Sequence, residues 1–403
     1  MNSLLRSTAF TRLWLAIFVS TTGNFLLMLS LSVYVYRQTG DNFAAAGVFA
    51  TQWLATVASA PLSGWLGGRF DTSRLAAACE LTGGVVSVLV GLFVHALPAV
   101  YLLLLVRGLA ESIGKSARVL AMRDHVEDDH IERAASMIGT ATFIGISVGS
   151  LVGAVLIHHL ALLHIALLDA ASFLLSAGLY LSLGRAPART TAAARPAFNA
   201  VLRDGWRAVR ADPLLGRQVA YMIVSTAFFQ GFHNIARTLL PITRLDMGER
   251  GVMLLQALAS VSFFLGAVIV TLLMQKRQIA GRVEPWGISA AAAALMLLSI
   301  LASQPAWSLL AYAVFLMLSE VTYVFCQKNI VTHCPREQLG LVSPLALSAA
   351  TLGLVVVIYA GGWLSDQVGL VTTAVVVALA TAGCLVAIEL RSPRPFRLFA
   401  PLP

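Results

Sequence analysis

Apolar segments of roughly 20 residues recur along the whole chain and are separated only by short polar breaks. Because an α-helix rises about 1.5 Å per residue, about 20 apolar residues cross the ~30 Å hydrocarbon core of a membrane. The pattern therefore predicts an all-α membrane protein with about twelve transmembrane helices. The expected spans are about 12–36, 43–66, 75–96, 98–121, 134–158, 161–184, 217–241, 250–275, 284–303, 306–332, 339–364 and 370–390.

The longest break, residues 185–215, has a different composition, rich in arginine, alanine and proline. Its second half, FNAVLRDGWRAVR, places apolar residues at helical spacing, which predicts an amphipathic helix at the membrane surface. The sequence thus predicts an N-terminal six-helix bundle over 1–184, a cytoplasmic linker with an amphipathic helix over 185–215, and a C-terminal six-helix bundle over 216–403. The arginines of the break are Arg185, Arg189, Arg195, Arg203, Arg207 and Arg210.

The two halves of the chain resemble each other. GVFATQWLATV at 47–57 shares Gly, Val, Gln, Leu, Ala and Val with GVMLLQALASV at 251–261, and VST occurs at both 19–21 and 224–226. Parallel repeats of six helices with a substrate site between them are a transporter architecture. Chance similarity among apolar segments is the alternative, and the matching glutamine and matching order argue against it.

The composition agrees with a lipid environment, and the distribution of positive charge along the chain indicates which loops face the cytoplasm. The 403 residues are 58% hydrophobic and 12% charged, whereas a soluble protein is about 25% charged. The net charge of +9 would suggest a nucleic-acid partner in a soluble protein. Here nearly all arginines fall on one side of the expected spans, and only Arg37, Arg244 and Arg250 fall on the other. Cytoplasmic loops collect Lys and Arg, so both termini are expected in the cytoplasm and no nucleic acid is expected.

Several motifs carry a family resemblance. The opening FTRLWLAIFVSTTGN, the segments LLDAASFLLSA and PREQLGLVS, and above all APLSGWLGGRFDTSRL at 60–75 are similar to the major facilitator superfamily. The last of these resembles the family's signature loop G-x-L-x-D-R-x-x-x-R, with Gly68 at the position of its aspartate. Within the superfamily the chain resembles the branch of enterobactin-type exporters and related drug exporters. The resemblance implies two six-helix bundles that work by alternating access, with gating residues Gly64, Arg69, Asp71, Arg74 and, near the end of the eleventh helix, Asp366.

The segment RGLAESIGKSAR at 107–118 allows two interpretations. GKS suggests a phosphate-binding loop, but five residues rather than four separate Gly108 from Gly114, and the segment lies inside a membrane-length span. Alternatively, steps of four, four and three place Arg107, Glu111, Lys115 and Arg118 on one face of a helix. An ionisable residue at the centre of a membrane helix costs about 2.5–3.5 kcal/mol, so such residues face a bundle interior or water. We therefore expect a charged face at bilayer depth.

In the family that the chain resembles, helices one, four, seven and ten line the substrate cavity. The tenth segment carries Glu320 and Lys328 on one face, the seventh carries four polar residues at i, i+3, i+4 and i+7, and the first carries one. The structural alternative is that the charges form ion pairs that only hold helices together, for example Arg107–Glu111 or Glu111–Lys115. The expected cavity residues are Asn24, Arg107, Glu111, Lys115, Arg118, Gln230, His233, Asn234, Arg237, Glu320 and Lys328.

The bases among these residues outnumber the acids, which suits an anionic substrate. Glu111 and Glu320 are the first candidates for a coupling proton, because a carboxyl group in a low-dielectric surrounding takes up a proton more readily. For Asp169, a proton role and a purely structural hydrogen bond remain equally open.

We expect a monomeric transporter of the bacterial inner membrane that couples proton movement to export of a small organic anion or siderophore. The alternatives are a multidrug efflux antiporter of the same fold and a siderophore or metabolite importer. The partners are a small-molecule substrate, protons and the lipid bilayer. No cofactor or metal is expected, since no CxxC or Cys/His metal spacing occurs. The sequence contains no Ser/His/Asp, HExxH or paired-carboxylate motif that would indicate an enzyme.

Overall fold

The computed structural model describes residues 7–67, 70–127, 130–184, 198–275 and 284–391. Within these ranges the chain is helical nearly throughout and forms no strand, and the fold contains twelve helical spans besides one amphipathic helix. The all-α membrane fold expected from the hydrophobic pattern is therefore confirmed. Of the basic positions discussed above, Arg69, Arg185, Arg189 and Arg195 lie outside the described residues.

The first six spans are single helices whose ends follow local signals. They are α1 (Thr8–Thr39), α2 (Asn42–Gly67), α3 (Thr72–Leu92), α4 (Leu97–His125), α5 (Ile131–Leu156) and α6 (Leu162–Leu181). Ser7 caps α1 by accepting a hydrogen bond from the Phe10 amide, and Gly40 ends it in the left-handed conformation. Pro98 lies in the first turn of α4, where its missing N–H costs no helical hydrogen bond.

The amphipathic helix expected in the central break is present as α7 (Phe198–Ala211), with its arginine side chains exposed. The seventh span follows as α8 (Pro213–Val224) and α9 (Gly231–Leu239), each continued by a wide π-helical turn, Ser225–Gln230 and Leu240–Arg244. Such π turns inside helices frequently occur at functional sites. The remaining helices are α10 (Gly248–Gln275), α11 (Pro285–Leu301), α12 (Pro305–His333) and α13 (Arg336–Leu390).

The last two expected spans are two helices that follow each other directly at Gly369, and we label the whole range α13. Gly369 in α13 has φ 80° and ψ 167°, so the chain changes direction there without a separate loop. Only glycine adopts such a conformation readily, because it has no Cβ. Two apolar arms result, one on each side of Gly369.

Length and composition suit eight of the described helices to crossing a membrane, including the bent α13, and α11 is a shorter apolar helix. Many large apolar side chains on these helices are exposed, as expected where the solvent is lipid. Examples are Val85, Leu102, Leu174 and Leu379.

The chain divides into two compact units. The first comprises Met1–Arg195 with Asp246–Ser260, and the second comprises Pro196–Leu245 with Val261–Pro403. Two contacts place residues 246–260 with the first unit. Glu249 forms a bidentate ion pair with Arg37 at the end of α1, and Met253 lies in the apolar core formed by α1 to α6.

Candidate functional site

An arginine and an aspartate are buried together inside the first unit. Arg107 on α4 is 1% exposed and Asp169 on α6 is 0% exposed, and 2.6 Å separates Arg107 Nη2 from Asp169 Oδ2. Arg107 Nη1 donates to Asn24 Oδ1 of α1 at 2.6 Å, and its Nε donates to Ser87 Oγ of α3 at 3.1 Å. Ser87 Oγ in turn donates to Asp169 Oδ2 at 2.7 Å. Four helices thus contribute one side chain each to a buried polar network.

One oxygen of this network remains uncommitted. Among the described residues, Asp169 Oδ1 has no hydrogen-bond partner. It faces the backbone of α1 at Gly23, where an added Cβ would lie only 2.7 Å away. A buried polar atom without a partner is unusual in proteins and calls for a functional or structural reason. Asp169 therefore binds Arg107 through one oxygen, and its other oxygen is available to accept a proton.

The charged face expected on α4 divides into two parts. Glu111 Oε1 lies 2.8 Å from Lys115 Nζ, and its other oxygen accepts a hydrogen bond from Gln52 of α2. Lys115 is 50% exposed and its ammonium group lies 5.5 Å from the centre of the Trp53 ring. Glu111 and Lys115 thus form the structural pair that the spacing allowed, whereas Arg107 pairs with Asp169 rather than with Glu111.

The other member of the α4 face, Arg118, has an acidic neighbour that the sequence reasoning missed. Glu80 on α3 is 5% exposed and lies within electrostatic reach of Arg118, as do Glu111 and Tyr180. Glu80 is a single carboxyl group in an otherwise apolar span. The criterion that singled out Glu111 and Glu320 would have found it.

In the second unit, the polar face of the seventh span is buried. His233 Nδ1 lies 2.7 Å from the hydroxyl of Tyr312 on α12, and the His233 ring stacks edge-on against Phe263 of α10. Asn234 donates its side-chain amide to the Gln230 carbonyl at 2.8 Å, within the first π turn. Arg237 is buried beside Tyr312. No sequence signal points to Tyr312, since an aromatic residue in an apolar helix is ordinary.

Glu320 on α12 is a buried carboxyl group of a different kind. It is 8% exposed and makes neither an ion pair nor a hydrogen bond within the described part of the chain. Its Cβ packs against α10 at Gly266, where an added methyl group would lie 2.9 Å away. Lys328, two turns further along α12, is partly exposed. The structure brings Glu320 close to the backbone of α10 and not to a positive charge.

Comparison with known proteins decides the family. The family model of the Major Facilitator Superfamily matches residues 13–343. The chain belongs to the major facilitator superfamily. A search of curated protein sequences finds no match, so the narrower resemblance to enterobactin-type and drug exporters remains an expectation.

Solved structures of other transporters share the fold of this superfamily member. The nucleoside transporter NupG superposes with a TM-score of 0.76 at 13% identity, covering 97% of this chain and 99% of that one. A bacterial homologue of the human lysosomal transporter Spinster, in an inward-facing and unoccupied conformation, gives 0.71 at 14%, covering 95% and 96%. A POT family transporter in complex with a thioalcohol-conjugated peptide gives 0.75 at 13%, covering 95% and 96%. At these identities the likeness concerns the fold alone.

The loop that resembles the superfamily signature is described only in part. Asp71 caps α3, with its carboxylate accepting the amide of Arg74 at 3.0 Å, and the side chain of Arg74 is exposed. The start of α3 also contacts the end of α4. The Thr72 hydroxyl donates a hydrogen bond to Asp124 Oδ2 at 2.8 Å, and Ser73 Oγ lies 3.1 Å from His125 Nε2. The other expected gating residues are Gly64, which lies on α2, Arg69, which lies outside the described residues, and Asp366, which is exposed on α13.

Proposed function

We propose that this protein is a proton-coupled secondary transporter that exports a small organic anion, siderophore-like, across the bacterial inner membrane by alternating access. The family membership supports membrane transport. The observation that supports proton coupling is the buried Arg107–Asp169 pair, in which Asp169 Oδ1 has no partner among the described residues. Such a carboxyl group can take up a proton and release Arg107, which is a change of state that proton binding alone can drive.

Glu111 and Glu320 remain candidates for the same role, in different settings. Glu111 already has a partner in Lys115, so its protonation would break an ion pair. Glu320 has no charged partner within the described residues, so its protonation would remove an isolated buried charge. We therefore assign the first coupling step to Asp169 or Glu320, and a supporting role to Glu111.

The proposed substrate class follows from the charges near these groups. The expected cavity residues include five bases: Arg107, Lys115, Arg118, Arg237 and Lys328. They include two acids, and the count of acids rises to four when the buried Glu80 and Asp169 are added. Those acids are Glu80, Glu111, Asp169 and Glu320. The remaining excess is positive and suits an anion.

This near-balance of charge favours a second candidate, a multidrug efflux antiporter of the same fold. With two of the bases already paired to Asp169 and Glu111, less positive charge is left to bind an anion. Aromatic rings beside polar groups, such as Trp53 next to Lys115, also suit flat lipophilic substrates. The third candidate is import rather than export of a siderophore or metabolite, since one fold serves different functions.

The test uses the purified protein in proteoliposomes with an acidic lumen. We expect this proton gradient to drive uptake of a radiolabelled catecholate siderophore, and the Asp169→Asn/Glu320→Gln double variant to lose the gradient-driven part. Gradient-driven uptake of ethidium in place of the catecholate would identify the multidrug candidate. If neither compound responds to the gradient, or if the double variant transports as wild type does, proton coupling as proposed is wrong.

We further propose that both termini are cytoplasmic and that the protein acts as a monomer. The positive charge on one side of the spans supports the orientation. Reporter fusions at residues 40 and 403 test it, because an enzyme that is active only outside the cytoplasm should work at the first position and fail at the second.

A further inference from the structure

Helices α3 and α6 of the first unit run antiparallel and meet in three successive layers. In the first layer Ser87 binds Asp169. In the second, the ring of Phe173 lies against Gly83, where an added Cβ would be 3.2 Å from two ring carbons. In the third, Glu80 faces Ser176. Glu80, Gly83 and Ser87 are separated by three and four residues, and Asp169, Phe173 and Ser176 by four and three, so each set shares one helix face.

The third layer is a buried cluster of polar groups whose hydrogen bonds are poorly satisfied. Within the described residues, Glu80 Oε2, Ser176 Oγ and Tyr180 Oη are all buried and make no hydrogen bond of good geometry, although Ser176 lies close to Glu80, and Arg118 lies close to Tyr180. Three such atoms next to each other are unusual, since over nine in ten buried polar groups are bonded. We call Glu80, Ser176, Tyr180 and Arg118 the Glu80 cluster.

The charged and titratable groups that face Glu80 come from all three helices around it. Cys79 is its neighbour on α3, Arg118 and Glu111 lie on α4, and Tyr180 and Asp169 lie on α6. Arg118 is the only base among them, and it also interacts with Glu111. Both carboxylates therefore interact electrostatically with one guanidinium group, and a proton on Glu80 would leave Glu111 as the stronger attraction on Arg118.

Phe173 lies between the two buried carboxyl groups. It follows Asp169 by one helical turn and precedes Ser176 by nearly one, and the Arg107 guanidinium carbon lies 5.2 Å from its ring centre. Because seven residues separate the first and third layers on each helix, the two carboxyl groups are offset by ~10 Å along the helix axis. Phe173, which packs against Gly83, thus lies between the two acids. Asp169 is paired with Arg107, whereas Glu80 lies near Arg118, which also interacts with Glu111.

We propose that Glu80 is a second proton-binding carboxyl group of this protein, coupled electrostatically to Asp169 across Phe173, so that loss of the proton from Asp169 favours uptake of a proton at Glu80. This inference rests on the proposed proton coupling. The step conserves charge: protonated Asp169 loses its proton and re-forms the ion pair with Arg107, while Glu80 gains a proton and becomes neutral. Arg118, no longer attracted by a charged Glu80, is then drawn towards Glu111. Uptake of a proton at Glu80, at one end of the α3–α6 interface, would thereby accompany re-formation of the Arg107–Asp169 ion pair at the other end.

The test measures protonation directly and needs no substrate. Dicyclohexylcarbodiimide attacks protonated carboxyl groups in apolar surroundings, and mass spectrometry locates the adduct. On the full-length protein in liposomes, we expect Glu80 to be labelled at low pH and to lose labelling as the pH rises. In Asp169→Asn, the midpoint of Glu80 labelling should move to lower pH by at least about one unit, because the variant removes a nearby negative charge and leaves Arg107 positive.

Controls separate coupling from general disturbance. Glu127→Gln, which removes an exposed carboxyl group beyond the end of α4, should leave the midpoint unchanged. If Asp169→Asn does not fold, Ser87→Ala serves instead, because it weakens the hold on the Asp169 carboxylate and should shift the midpoint in the same direction by a smaller amount. Absence of labelling at Glu80 at every pH, or an unchanged midpoint in the folded variant, overturns the proposal. Neither result depends on gradient-driven transport, so a failure here is distinct from a failure of the proposed function.

Discussion

Arg107 and Asp169 form a fully buried ion pair, with 2.6 Å between Nη2 and Oδ2, and each side chain is at most 1% exposed. Removing one partner of a buried pair leaves the other as an uncompensated charge and typically costs about 3–5 kcal/mol. Replacing both partners with apolar residues of similar volume is often neutral. Single substitutions should therefore destabilise the protein, whereas replacement of both residues should not. The double variant can then show whether the pair is needed for transport apart from stability.

We predict that Arg107→Met and Asp169→Leu alone each lower the thermal unfolding temperature strongly, and that the double variant recovers most of the loss. Tryptophan fluorescence during heating of the purified protein measures both effects. The double variant should nevertheless show no gradient-driven transport, because the proton-binding group is gone. A stable double variant with full transport would show that the pair is only structural.

A second prediction concerns Lys115, which is half exposed and pairs with Glu111 one turn earlier on α4. Exposed pairs contribute only about 0.2–1 kcal/mol, so Lys115→Gln should fold and express normally. If Lys115 binds an anionic substrate, the variant should raise the KM for that substrate at least about tenfold, as expected for a charge-assisted contact. Arg123→Gln, which removes an exposed base from the same helix, is the matched control and should leave KM unchanged. Poor expression of Lys115→Gln would instead assign the lysine to helix packing.

The difference between these two residues shows what sequence reasoning could reach. Spacing within one helix predicted the Glu111–Lys115 pair, because i and i+4 are neighbours on any helix. It could not predict that Arg107 binds Asp169, since that contact depends on how α4 and α6 pack and the residues are 62 positions apart. Hydrophobic segments likewise predicted the twelve spans, including the separation of the last two, but not the direct turn between them at Gly369, because that turn is a property of one residue's backbone conformation.

Third, Glu320→Gln should separate stability from coupling. The carboxyl group has no ion pair or hydrogen bond within the described residues, so its neutral analogue removes no stabilising contact and should leave the unfolding temperature unchanged or slightly higher. If Glu320 carries the coupling proton, gradient-driven transport should be lost while substrate exchange without a gradient continues. Equal loss of both activities would instead place Glu320 in substrate binding or in the motion itself.

The last prediction concerns the bend in α13. Gly369 has φ 80°, a region that residues with a side chain adopt only at a cost of about 1–3 kcal/mol. Its surroundings are open, with no atom within 4 Å of an added Cβ, so strain and not a clash would determine the effect of Gly369→Ala. The control is Gly383→Ala in the second arm of the same helix, where the space is equally open and the backbone is helical. Thermal unfolding should show a lower temperature for Gly369→Ala and an unchanged or higher one for Gly383→Ala, because alanine favours a helix over glycine by about 1 kcal/mol. Equal unfolding temperatures for the two variants would mean that the bend at Gly369 relaxes without strain when a side chain is present.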